Sequence, residues 1–289
     1  MSPERRGMLL MALFVALWAA VEALAAEVLL RYSPYQVVWT RYVVHLAFMA
    51  AVWGWQDPGS LWRTRRPAFQ IFRSMMMLGM PASWIVAMHL GVESGTLMFI
   101  FWASPLLILA FARFFLKERA TLPLWGAALA AWAGAGILTG PSRPESLSML
   151  AYPVAMAVTF SLYVVMTRSL RGETPRANLF HSALWVALLL TPAMPGLWIT
   201  PSLPELLAMI GVGLLGFAAL FALDRMAAAA PVSVSAPVGY LQLVFTISIA
   251  VLLGHGNGGE RAAAGGLIIG AAVLYVWAHK PGLLLRNAA

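Results

Sequence analysis

Three ionisable residues sit where hydrocarbon would surround them. Glu22, Arg41 and His45 each lie inside an apolar run of bilayer-spanning length. At such depth a carboxylate and a guanidinium can neutralise one another, hold a charged solute, or pass a proton with the help of an imidazole. Each is costly alone, on the order of 3 kcal/mol on insertion scales. A rise of ~1.5 Å per residue puts Glu22 about 5 Å to the outer side of the first run's centre. Arg41 lies a similar ~5 Å to the outer side of the second run, which travels the other way. His45 is one turn from Arg41 on the same face, and Trp18 is one turn from Glu22. A Glu22–Arg41–His45 cluster facing a cavity is therefore expected. Two roles stay open to it: a buried ion pair that fixes helix packing, or contact with substrate or with coupling protons.

Other groups offer less. His89 ends the third run with Glu93 just beyond it, either as ordinary interfacial residues or as an outer gate. His181, near the start of the seventh run, is equally ambiguous. His255 falls in "GHGNGG", a glycine string that follows no strand and so reads as an exposed loop rather than a phosphate cradle. Pro105 and Pro237 lie inside or near the start of apolar runs, where proline frees a carbonyl and bends a helix, so both are candidate hinges. Met75, Met76 and Met77 cannot share one helix face and read as adaptable packing. The chain has no cysteine, which excludes disulfides, thiol chemistry and Cys-based metal sites. There is no phosphate-binding ATPase loop, and no carboxylate pair or Ser/His/Asp set at one depth. No catalytic residue, cofactor or metal is expected.

The elements that must position these residues follow from composition. The chain is 289 residues long, 61% hydrophobic and only 10% charged, with a mean hydropathy of +0.81. A soluble domain carries roughly a quarter charged residues and has no use for repeated runs near 20 apolar residues. Short alternating segments of the barrel type are absent. Ten helical spans are predicted, near 8–29, 34–54, 69–88, 94–114, 121–140, 147–167, 178–198, 204–224, 231–253 and 262–280. The first run is too long for a signal peptide's apolar region and contains glutamates, so it reads as a retained span. With the N-terminus inside, fifteen of the nineteen Lys and Arg residues fall at cytoplasmic ends, Arg73, Lys280 and Arg286 among them, and three fall outside. That bias puts both termini in the cytoplasm of a multi-pass cell-membrane protein, the inner membrane in a bacterium. It also explains the net charge of +8 without any nucleic-acid partner.

Two stretches half a chain apart look alike. "LWGAALAAWAGAGIL" carries Gly126, Ala130 and Gly134 at spacing four, and "RAAAGGLIIGAAVL" carries Ala262, Gly266 and Gly270 at the same spacing. Small residues every fourth position give a smooth face for close helix packing. Five spans per half is an odd number, which inserts the second half upside down. The expected organisation is thus 8–140 and 147–280 as two inverted five-helix repeats with a substrate site between them.

The residues resemble a known family, the EamA-type branch of the drug/metabolite transporter superfamily. "SPYQVVWTR" looks like its second-helix start, with arginine seven residues after the proline. "SPLLILAFARFFLKER" resembles its fourth helix and the turn bearing Glu118, "SLYVVMTRSL" its sixth-helix ending, and "SVSAPVGYLQLVFTISIAVLLG" its ninth helix with Pro-x-x-Tyr-x-Gln. "VEALA" followed by an Arg-bearing helix looks most like the subgroup that includes S-adenosylmethionine carriers. The chain departs from the pattern at Trp18-Ala19 in place of Trp-Gly, Ala26-Glu27 in place of a lysine, "GHGNGGER" in place of a Gly-Glu turn, and Asp224-Arg225 in place of an apolar-aromatic pair. The resemblance implies a cavity lined by aromatics, with Trp84, Trp102, Tyr163 and Tyr240 as candidates. Trp185 and Gln242, also deep in their helices, join them.

The function expected from these readings is a secondary transporter that exports a small polar or zwitterionic metabolite by alternating access: an amino acid, a derivative, or an opine-type metallophore. One alternative is uptake or exchange of a nucleoside-bearing metabolite such as S-adenosylmethionine. Another is an intramembrane enzyme or a scaffold that transports nothing. The expected partners are a small-molecule substrate and the bilayer, with protons a candidate coupling ion and the chain a monomer or weak homodimer.

Overall fold

The computed structural model describes residues 1–143, 146–254 and 259–279. His255, Lys280 and Arg286 lie outside the described residues. Ten helices are long and apolar enough to cross a membrane: α1 Pro3–Leu29, α2 Pro34–Gly54, α3 Pro67–His89, α4 Ser94–Phe115, α5 Leu122–Thr139, α6 Leu147–Ser169, α7 Pro175–Leu197, α8 Leu203–Ala229, α9 Val232–Leu252 and α10 Glu260–Ala278. The protein is an all-α, polytopic membrane protein, with no strand among the described residues.

Several starts are written in the same way. Ser2, Ser33 and Thr174 each accept a backbone N–H with the side chain, and a proline follows at the first helical position. Proline loses nothing there, because the first N–H groups of a helix have no partner within it. Two spans run past their apolar stretches. α1 begins among Glu4, Arg5 and Arg6 because Ser2 caps it. α8 continues through Asp224 and Arg225 to Ala229.

The expected breaks at proline are present. α4 consists of Ser94–Phe101 and Ser104–Phe115, divided at Trp102–Ala103, with Pro105 in the first turn of the second piece. α9 holds a 3₁₀ stretch, Ala236–Tyr240, around Pro237, before the α-helix Leu241–Leu252.

Sequence neighbours are not always space neighbours. α1 lies along α8 and α9, α3 along α6 and α7, and α2 between α7 and α8, so the main contacts join the first five helices to the last five. α5 and α10, the two Gly/Ala-rich helices, pack on each other. Their contact keeps only Gly134 of the stripe that the spacing predicts. It is made by Leu124, Ala127, Ala131, Gly134 and Ala135 against Gly265, Ile269, Ala272 and Val276. A Cβ added at Gly126, Gly266 or Gly270 would meet no neighbour within 4 Å. At the crossing, a Cβ on Gly134 would come within 2.9 Å of the Gly265 carbonyl oxygen, so glycine is needed for the close approach.

Candidate functional site

The bundle contains a cavity of about 260 Å³ between its halves. α1 lines it with Phe14, Trp18 and Glu22, one turn apart on a single face, and α3 adds Met77 and Met80. The break in α4 turns Phe101 and Trp102 inward, α6 supplies Met156, Phe160 and Tyr163, and α9 supplies Gln242 and Thr246 just beyond its 3₁₀ stretch. A second chamber of about 440 Å³ continues from the first. The two share Trp18, Glu22, Met80, Met98 and Met156, and the second adds Arg41, Pro81 and Trp84. Glu22 therefore stands at their junction.

Glu22 is the one carboxylate lining either chamber among the described residues. It accepts hydrogen bonds from Gln242 Nε2 at 2.6 Å and Thr246 Oγ1 at 3.0 Å. Both donors belong to the second half and both are neutral, so Glu22 is oriented without being neutralised. Arg41 does not pair with it, which corrects the expected ion pair. The Arg41 guanidinium instead lies 5.3 Å from the Trp18 ring and 4.8 Å from the Tyr42 ring, in cation–π reach of both. Its Nε has no hydrogen-bond partner.

His45 is not in the cavity. It is buried against Tyr42 and Phe217, with ring centroids 5.1 and 5.7 Å away. The reason is that α2 turns its Arg41/His45 face toward α8, where Gly213 and Gly216 leave room for Val44 and for the Arg41 stem and His45 ring.

The other expected site residues divide. Trp18, Trp84, Trp102, Tyr163 and Gln242 line the chambers. Tyr240 is fully buried behind Trp102, ring centroids 5.9 Å apart. Trp185 lines neither chamber. Neither outer residue lines them either. His89 turns its Nδ1 back to the Ile85 carbonyl at 2.8 Å. Glu93 caps α4, accepting from Thr96 N–H at 3.1 Å and Ser142 Oγ at 3.2 Å. The Thr96 N–H bond holds its carboxyl below the usual glutamate range. Residues that sequence reading passed over are Phe14, Met80, Met98, Phe101, Phe160 and Thr246, together with Met77, read only as packing. Their signal was helical spacing from residues already singled out: Phe14 is four before Trp18, and Thr246 four after Gln242.

The face bearing the N-terminus is sealed by polar contacts between the halves. Glu118 Oε2 accepts from Ser233 N–H at 3.0 Å and its hydroxyl at 2.8 Å, and Glu118 Oε1 is 3.4 Å from Arg168 Nε. Arg168 Nη1 donates to the Ala227 carbonyl at 2.6 Å. Glu118 is aimed there by Lys117, whose φ of 59° ends α4 in the left-handed conformation. Deeper in the same face, Arg73 donates to Ser182 Oγ at 2.8 Å and Thr167 Oγ1 at 3.1 Å. The sequence places Arg73 among the ordinary inner-end charges, whereas the structure buries it. The opposite face is joined at its edge, by Gln36 with the Ile199 backbone and by Glu205 with Arg31 and Tyr32.

A cavity between helices of two halves, closed toward one face and continuous with a second chamber, is the geometry of a solute carrier. Residues 5–140 match the EamA-like transporter family. The first half of the chain is thus similar to the EamA branch of the drug/metabolite transporters. Curated relatives named S-adenosylmethionine uptake transporter are 26% identical in Rickettsia bellii, over 74% of each chain, and 25% identical in Rickettsia conorii, over 74% of this chain and 73% of that one. A third, in Rickettsia prowazekii, is 24% identical over the same shares as the second. A solved crystal structure 19% identical to this chain superposes with a TM-score of 0.83, covering 96% of this chain and 98% of its own, and shows the shared fold. This EamA-type chain is a multi-pass membrane transporter of a small molecule.

Proposed function

We propose that this transporter takes up a nucleoside-bearing cation of the S-adenosylmethionine type, entering through the second chamber and leaving at the face that bears the N-terminus. The observation that carries this is Glu22, a carboxylate at the junction of the chambers that no cation among the described residues pairs with, set among aromatic rings and methionines. A sulfonium or ammonium group would be drawn to that carboxylate and to the faces of Trp18 and Trp102. A purine would stack on the same rings. Arg41, across the second chamber, suits the carboxylate of an amino-acid moiety. The names of the relatives favour this reading over export of an amino acid. The displacement of His45 from the cavity removes an objection to a cationic substrate.

The two broken helices, α4 and α9, each hold the fourth place in a five-plus-five division. We read residues 8–140 and 147–280 as inverted repeats on this basis, with both termini cytoplasmic on the charge bias. Uptake of labelled S-adenosylmethionine into proteoliposomes tests the reading. Competition by the cation and its close sulfonium analogues, with none by free amino acids, is the expected result. Competition by amino acids alone would return the assignment to a zwitterion carrier, and no uptake of the cation would end this reading.

A further inference from the structure

One buried carboxylate takes no part in the cavity. Asp224, about a turn and a half before the end of α8, is 5% exposed, and its Oδ1 accepts a hydrogen bond from Asn178 Nδ2 at 2.8 Å. Asn178 Oδ1 accepts from Gln70 Nε2 at 2.8 Å. Gln70 Oε1 accepts from Arg73 Nη2 at 3.0 Å. The polarity of this chain is forced. A guanidinium only donates and a carboxylate only accepts, so both amides between them must turn oxygen toward Arg73 and nitrogen toward Asp224. The result is an ion pair bridged by two amides, running from α3 through α7 to α8 and thus across the two halves at the sealed face.

The charges at its ends depend on each other. A buried charge without compensation costs several kcal/mol. Here each charge is balanced at a distance through aligned dipoles, and low dielectric strengthens that balance. A proton on Asp224 would undo it. The carboxyl group would become a donor as well as an acceptor, and the amides would lose their imposed direction. Arg73 would keep its hydrogen bonds to Thr167 and Ser182 but lose the carboxylate that balances its charge, and water would then be the medium that best stabilises that charge. Water reaches Arg73 only if α3 parts from α6 and α7, which is the motion that opens this face. The charged groups acting on Asp224 are Arg73 on α3 and Arg225 on α8 itself, and the titratable His181 on α7, whose backbone carbonyl accepts from Ser74, follows Asn178 by three residues. Arg168 on α6, with Glu118, holds the end of α8. α1 brings apolar side chains to the same core, Met11 among them, while α2 brings the Tyr42 phenol and α6 the Tyr163 ring, 5.2 Å from the Arg73 guanidinium.

We propose that Asp224 is a proton-binding site, separate from the substrate cavity, and that a proton bound there unlocks the sealed face. This rests on the transport reading only in that a carrier must open this face. The natural absence of cysteine makes a clean test possible. Ala112 is fully buried near the sealed end of α4, and A112C would report opening by reaction with a maleimide on a polyethylene-glycol chain too wide to pass the cavity. The assay uses the full-length protein in nanodiscs, with no substrate, and each rate is divided by that of the same cysteine in denaturant at the same pH. The expected rate for A112C rises as pH falls, by up to about tenfold per pH unit, to a plateau. A112C with D224N should sit at the plateau at every pH, and A112C with D224E should respond with a displaced midpoint. Coincident profiles for A112C and its D224N form, or slower labelling in D224N, would overturn the proposal. If D224N yields no folded protein, D224E decides: an unchanged midpoint overturns the proposal. Because the assay holds no substrate, its failure leaves the transport reading intact, and a failed uptake assay leaves this result intact.

Discussion

The molecule holds two polar clusters inside the bilayer-spanning bundle, and they are built on opposite plans. At the sealed face, Arg73, Gln70, Asn178 and Asp224 bond to one another in a one-way chain and are all buried. In the cavity, Glu22 is held by two neutral donors, Arg41 is held by two rings, and the two charges are left apart with space between. A buried network whose members all have partners lends rigidity. A carboxylate kept oriented but unneutralised costs energy until a cation arrives, so its cost is recovered on binding. The comparison therefore assigns holding to one cluster and recognition to the other.

The largest effect should come from the recognition cluster. Glu22→Gln keeps the shape and both neighbours but removes the charge. Truncating one member of a buried charged contact costs 2–5 kcal/mol, so the apparent affinity for the cation should fall about a hundredfold. Thermal stability should hold or rise, because an uncompensated charge is gone. Binding and melting measured on the same preparation would break the comparison if E22Q melted earlier and bound normally.

Asn178→Ala should do the reverse. It removes the amide that joins Gln70 to Asp224 and leaves Gln70 Nε2 and Asp224 Oδ1 without a partner, at a cost of about 3 kcal/mol in stability. Cation binding to the protein that remains folded should be nearly unchanged. If N178A bound the cation tenfold more weakly without melting earlier, the division of labour would be wrong.

How much of this could be read from sequence depended on what the bilayer dictates. Span count and length follow from hydrocarbon thickness, and the ten runs and the two proline breaks were legible for that reason. The depth of Glu22 and Arg41 was legible too, and both line one chamber. Their pairing was not, because depth says nothing about which helices are neighbours. α1 packs on α8 and α9, so Glu22 met Gln242, 220 positions away, rather than Arg41. The small-residue stripe was legible only at Gly134, for a related reason. Gly and Ala fill both faces of α5, and rotation is set by the partner helix. The amide chain was invisible because Gln70 and Asn178 carry no signal until they meet. Asp224 alone hinted at it, as a charge where the family resemblance leads one to expect an apolar residue.

A smaller effect separates the two charges of the cavity. If Arg41 receives a carboxylate, Arg41→Ala should weaken the full amino-acid-bearing cation by about tenfold and leave its decarboxylated analogue unchanged, a difference near 1.4 kcal/mol. Equal weakening of both would mean that Arg41 shapes the chamber, through its stacking on Trp18 and its packing against Gly216, and recognises nothing.

The smallest effect tests the edge of the cavity region, where Glu93 was a candidate gate. The hydrogen bonds at Thr96 make it a helix cap instead, and they set the sign of its pH dependence. Its carboxyl is held below the ordinary range in the folded protein by the Thr96 N–H. Its contribution to stability is therefore present above the unfolded-state value and is lost as pH falls through the folded one. Melting temperature should drop slightly more between pH 5 and pH 3 in the native chain than in Glu93→Gln, window limits that follow from the ordinary glutamate value of about 4.3. Because the group is exposed, solvent screening keeps the difference small. Uptake at neutral pH should be the same in both. A gate would show the opposite pattern, altered uptake with unaltered melting, since a side chain that swings clear of the passage cannot also be bound to the first turn of α4.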